Sequence, residues 1–125
     1  MSGPDEVRLS FEADTRNIAL TRTLAAAMAA RADLPIDQLE DARLAVDEAV
    51  TQAIASAPAG AEVVCIMSAE PGALSITVSA PGTEEPSRTT FSWMVLAALV
   101  DNLDAQLADG RITFMLLIER ADVDA

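Results

Sequence analysis

Glu48 and Gln52 stand four residues apart in this 125-residue chain and are its best-placed candidates for chemistry. In a helix that spacing stacks a carboxylate one turn from an amide, which makes them a candidate catalytic pair. The residues beside them (Leu44, Ala45, Ala55) are mostly small and apolar, so this face either borders a ligand or meets water. Other chemistries fall away on composition. The chain has no His, which removes Ser-His-Asp catalysis and the usual zinc sites. Its single cysteine, Cys65, has no internal partner and lies in an apolar run. It reads as a buried structural thiol, since no His is present to activate it as a nucleophile.

The pair is carried by one amphipathic stretch, Pro35 to Ala57. Pro35 suits a first helical turn, and Asp37 and Glu40 are acids near the positive end of the helix dipole. Pro58 and Gly60 end the run. Leu39, Val46, Val50, Ala53 and Ile54 form its apolar stripe at helical spacing.

The rest of the chain must position that helix. Met1 to Glu6 reads as a loose start. Val7 to Ala13 alternates as a half-buried strand, with Val7, Leu9 and Phe11 on one side. Asp14 or Thr15 caps a helix running to about Ala32, with Ile18, Ala25, Met28, Ala29 and Ala32 on one stripe and Leu20, Leu24 and Ala27 on another. Arg22 falls at the edge of the first stripe and by itself reads as a solvated arginine. Glu62 to Ala69 and Leu74 to Ala80 are strands joined at Pro71-Gly72. Pro81 to Arg88 is a polar loop. Phe91 to Leu103 reads as a helix that is apolar nearly all round, with Met94, Val95 and Ala98 towards the core and Trp93, Leu96 and Val100 as a second stripe. Ala105 to Leu107 and Arg111 to Glu119 form a hairpin at Asp109-Gly110, and Ala121 to Ala125 is an acidic tail. The order β-α-α-β-β-α-β-β predicts an α+β two-layer sandwich, helices on one face of a mainly antiparallel sheet. Residues 1–125 read as a single domain.

The net charge of −12 argues against direct nucleic-acid binding, which needs clustered Lys and Arg. An acidic surface suits a basic protein partner, or serves solubility alone. No signal peptide or long apolar span is evident, so no membrane contact and a cytoplasmic location are expected.

This element order, with RLAVDE at Arg43 to Glu48 and FSWMVLAAL at Phe91 to Leu99, resembles the RsbW and SpoIIAB family of anti-sigma factors. These belong to the GHKL ATPase superfamily, and the match is closest to the actinobacterial anti-sigma-F (UsfX) type. The resemblance covers nearly the whole chain and implies a reduced GHKL (Bergerat-like) fold. It also implies an ATP site, with Glu48 as the residue that activates the attacking hydroxyl. Gln52 stands where the family has a Mg²⁺-binding Asn, its amide oxygen about 1.5 Å further out, a weaker ligand for an octahedral ion. Ala80 replaces an adenine-binding Asp, Gly82 is kept, and Glu84 replaces a second Gly. Thr90 to Trp93 replace a Gly-rich phosphate loop, and Thr83 to Thr89 is short for a lid. Only Arg88 is near enough in sequence to replace lost phosphate contacts. These departures predict a degenerate site without efficient use of ATP or Mg²⁺.

The resemblance further implies a sigma factor as partner, held through the first helix, where Asn17 and Arg22 match the family's Asn and Arg in spacing. An anti-anti-sigma factor would release it. The family commonly dimerises, so a homodimer is expected. The expected function is sequestration of an alternative sigma factor. The alternative is an ATP-dependent serine protein kinase acting on the anti-anti-sigma factor. A plain α+β scaffold, with Glu48 a solvated helix acid, is the third reading.

Overall fold

A computed structural model describes residues 5–121 and places a five-stranded antiparallel sheet under three helices. The elements are β1 (Asp5–Glu12), α1 (Ile18–Arg31), α2 (Ile36–Ser56), β2 (Glu62–Glu70), β3 (Ala73–Pro81), α3 (Phe91–Leu99), β4 (Asn102–Ala108) and β5 (Arg111–Glu119). The sheet order is β1-β2-β3-β5-β4, and every neighbouring pair is antiparallel. The expected α+β sandwich is the observed architecture.

Strand alternation sets the core. Leu74, Ile76, Val78 and Ala80 of β3, and Ile112, Phe114, Leu116 and Ile118 of β5, are all buried under the helices. Their partners one residue along line the open face, as a period-two pattern requires. Asp109 (φ 53°) and Gly110 (φ 73°) supply the two left-handed residues of the tight β4–β5 turn.

Alanine dominates the helix layer for a packing reason. Ala25, Ala29 and Ala32 in and just after α1, and Ala42, Ala45 and Ala49 of α2, are fully buried. Small side chains let the two helices approach closely while each also covers the sheet. Ala45 is therefore not on an outward face as its sequence position suggested, because α2 is buried over a wider arc than one stripe. Leu44, its neighbour, does point outward at 54% exposure. Cys65 is buried in β2, and burial pushes its thiol up to about 12.

Helix α1 ends in a Schellman-type cap. Asp33 N–H donates to Ala30 O and Leu34 N–H to Ala29 O, both at 3.1 Å, with Asp33 at φ 60°. Glycine fits that conformation better, and Asp33 puts a negative charge at the negative helix end. Asp33→Gly is expected to stabilise the protein by about 1 kcal/mol. The urea midpoint should rise with an unchanged slope, and Asp33→Asn should yield the charge part alone.

Three sequence expectations are corrected. Asp5 and Glu6 are not a loose start but pair with Ala69 and Ser68 in β1. Met1 to Pro4, and the acidic tail after Ala121, lie outside the described residues. The third helix stops at Leu99 rather than Leu103, because Asn102 and Leu103 pair with Leu117 and Leu116 of β5. Its buried side is also reversed: Trp93 and Leu96 are buried, whereas Met94 is 60% exposed. Packing of α3 chiefly against α2 sets that orientation, and local periodicity in an apolar helix carries no information about it.

Candidate functional site

Glu48 and Gln52 project from one face of α2 towards the first turn of α3. Ser92 stands between them, its hydroxyl donating to Glu48 Oε2 and accepting from Gln52 Nε2. All three are half-buried. The hydrogen-bonded chain Glu48–Ser92–Gln52 links α2 to α3, so the two α2 side chains are joined by a third from the segment that stands at the resembled family's phosphate loop. No spacing rule brings residue 92 to residue 48; the packing of α3 against α2 does.

The start of α3 is itself held firmly. Thr90 caps it, its Oγ1 accepting from Trp93 N at 3.1 Å. Arg88 lies over the Trp93 ring, 4.8 Å from its centroid, and donates to Asp104 Oδ1 at 2.9 Å and Ala105 O at 3.0 Å. The hydrogen bond from Arg88 is the main reason the Asp104 carboxyl is held below the usual carboxylate range, with the Ala105 N–H adding to it. Arg88 thus fastens the loop to β4 and α3.

Beside Gln52 a cavity of about 490 Å³ opens between the end of α2, the 83–87 loop and β5. Gln52, Ser56, Glu84, Glu85, Thr90 and Phe114 are among its lining residues, and none of the lining residues is basic. Ala80 is buried and offers no side-chain acceptor. Gly82 is explained by packing: a Cβ there would meet Ile112 Cδ1 at 2.3 Å. Its N–H donates to Gly110 O at 3.0 Å, which keeps the two loops together.

These groups do not suit a magnesium nucleotide. Ser92 engages the proposed base and the proposed metal ligand, two carboxylates line the adjoining space, and Arg88 is turned to Asp104. A triphosphate placed there would meet two carboxylates, with no Lys or Arg in the lining to share the balancing of its charge with the magnesium.

The partner-contact candidates sit on another part of the surface. Arg22 Nη1 is 4.0 Å from Asp47 Oδ2, with 42% and 35% of the two side chains exposed. Asp47 directly precedes Glu48, so adjacent α2 residues face α1 and α3 respectively. Asn17, in the 3₁₀ turn before α1, donates from Nδ2 to Glu12 O at 2.9 Å and ties β1 to the helix start. The structure does not join Asn17, Arg22 or Gly82 to the Glu48–Ser92–Gln52 chain.

A family model described as a histidine kinase-like ATPase domain matches residues 11–112. The chain belongs to that family. Within it, the chain is 35% identical over 111 residues to the anti-sigma-F factor RsbW of Mycobacterium tuberculosis, in strains CDC 1551 / Oshkosh and ATCC 25618 / H37Rv. The match takes in 87% of this histidine kinase-like domain chain and 66% of the relative, just under two thirds of its length. A solved structure of the RsbU and RsbW domains of Rv1364c from Mycobacterium tuberculosis superposes with a TM-score of 0.72. That match covers 94% of this chain and 33% of the other at 17% identity, and establishes a shared fold. No helix among the described residues is long and apolar enough to cross a membrane.

Proposed function

We propose that this chain is an anti-sigma factor of the cytoplasm, which sequesters an alternative sigma factor and yields it to an anti-anti-sigma partner. The observation that carries the proposal is the 35% identity to anti-sigma-F factor RsbW across 87% of the chain. The site supports the non-catalytic form of that function. A Glu48 joined to Ser92, and a cavity whose charged lining residues are Glu84 and Glu85, favour grip over phosphoryl transfer. Sigma-factor contact is assigned to α1 and the adjoining α2 surface, with Arg22 as the leading contact and Asn17 fixing the start of the helix. A half-exposed arginine held loosely by Asp47 can exchange that carboxylate for one on a partner. Homodimerisation belongs to the same proposal.

The test is co-purification of the full chain with candidate alternative sigma factors. Retention at micromolar concentration is expected, weakened about thirtyfold by Arg22→Ala, the scale of an interface hot spot. Arg22→Lys should recover part of the loss, because it keeps the charge beside Asp47. Retention of no candidate, or equal retention by Arg22→Ala, would overturn the assignment. The kinase alternative needs Mg-ATP bound with Glu48 as base and Gln52 as ligand. Calorimetry with Mg-ATP is expected to show no binding heat, in the native chain and in Ser92→Ala alike. Heat together with phosphate transfer lost in Glu48→Ala would reinstate the kinase.

A further inference from the structure

We infer that the acidic cavity and the exposed start of α3 form one docking surface for a basic, partly apolar segment of a protein partner. Three observations choose that occupant. The first is charge. The cavity of about 490 Å³ is lined by Glu84 and Glu85, with Gln52, Ser56 and Thr90 as further polar groups. The two arginines nearest in sequence are committed elsewhere. Arg88 binds Asp104 and Ala105, and Arg111 lies across the open sheet face, donating to Ser79 Oγ at 3.0 Å.

The second observation is the end of α2. Ser56, its last residue, lines the cavity, and the final turn of this 21-residue helix contains no basic side chain. The negative end of the helix dipole therefore lies beside the cavity, with no cation in its last turn to answer it. The start of α3 acts in the opposite sense, but Thr90 Oγ1 already caps it. Carboxylates and a helix C-terminus together favour a guanidinium or ammonium group. Ile112 and Phe114, which also line the space, give its methylene stem an apolar wall.

The third is continuity. Thr90 is both a cavity residue and the cap of α3, so the cavity mouth runs into a helix of nine residues that carries no charge. Phe91, the next residue, is 80% exposed, and Met94, one turn on, is 60% exposed. A segment with Lys or Arg beside a large apolar residue can place the cation between Glu84 and Glu85 and the apolar group on Phe91 and Met94. A second copy docking through this same face is a poor occupant, because it would set Glu84 and Glu85 against their own counterparts. The surface is separate from Arg22, so it stands or falls independently of the sigma-factor assignment.

The probe is an acetylated Gly-Arg-Leu-Arg-Leu-Gly amide, titrated into the full chain at low salt. Fluorescence of Trp93, the only tryptophan, and the amide resonances of Thr90 to Met94 report binding. Saturable changes centred on those residues and on the cavity lining at Gln52, Ser56, Glu84 and Glu85 are expected. Glu84→Gln combined with Glu85→Gln should weaken binding at least tenfold, and Phe91→Ser about fivefold; all three side chains are exposed, so the fold is retained. Glu6→Gln combined with Glu70→Gln changes net charge equally at the far edge of the sheet and should leave binding intact. Absent or non-saturable changes overturn the inference. So does equal weakening by the control pair, or equal binding of the peptide with Glu in place of Arg.

Discussion

Phe114→Ala is expected to cost about 3–5 kcal/mol of stability, the largest single effect of any substitution considered for this fold. Phe114 lies in the middle of β5, 2% exposed, opposite Val78 on β3 and Ala105 on β4. Removing the ring forfeits its transfer free energy and leaves a void, because strands held by hydrogen bonds on both sides cannot close in on it. The site already borders a cavity of about 490 Å³, so the variant enlarges existing space rather than creating an isolated hole. A domain of this size has about 5–15 kcal/mol in all, so Phe114→Ala leaves a marginal fold. Urea denaturation followed by Trp93 fluorescence measures it, with Phe114→Leu as a control expected to lose less than about 1.5 kcal/mol. A loss under 1 kcal/mol for the alanine variant would mean that water or side chains already fill the space.

Ala49→Leu is expected to destabilise by about 1–3 kcal/mol through the opposite fault. Ala49 is completely buried in α2, a helix packed closely against α1. Three added carbons have no room unless the helices separate or the sheet yields. Because Arg22 of α1 reaches Asp47 two residues away, separation would also break the geometry of the proposed partner surface. The variant should therefore lose stability in urea and, where it still folds, bind its partner more weakly than Arg22→Ala does. Ala49→Gly should cost about 1 kcal/mol, the ordinary helix penalty, and leave binding largely intact. Equal behaviour of the leucine and glycine variants would contradict close packing at this position.

Much of this fold is legible in the chain. The two hairpin signals, Pro71-Gly72 and Asp109-Gly110, fall at observed turns, where Gly72, Asp109 and Gly110 adopt positive φ. The alternation in β3 and β5 assigns every core residue of those strands, because one residue of slip would turn the whole set to solvent. The long helix carrying Glu48 is likewise visible, since its period and its Pro boundaries are local. The end of α3 is not. From Phe91 to Leu103 the side chains continue a helical pattern, yet Val100 is extended (φ −127°, ψ 161°) so that the next residues can join β5. Pairing with a strand that comes later in sequence overrides a local preference.

The candidate site divides in the same way. Sequence alone determined that Glu48 and Gln52 share a helical face, that His-based chemistry is excluded, and that Ala80 and Glu84 stand where the resembled family has an Asp and a Gly. All of these depend on residue identity or on spacing along one element. Only the tertiary structure decided what surrounds the pair: Ser92 joined to both side chains, Arg88 drawn to Asp104 and Trp93, and an acidic cavity beside them. Those contacts join residues 5 to 44 positions apart. They depend on how α3 settles against α2 and β4, which no local periodicity encodes. Glu48 therefore came from the sequence as a candidate base, and the fold made it one end of a link between two helices.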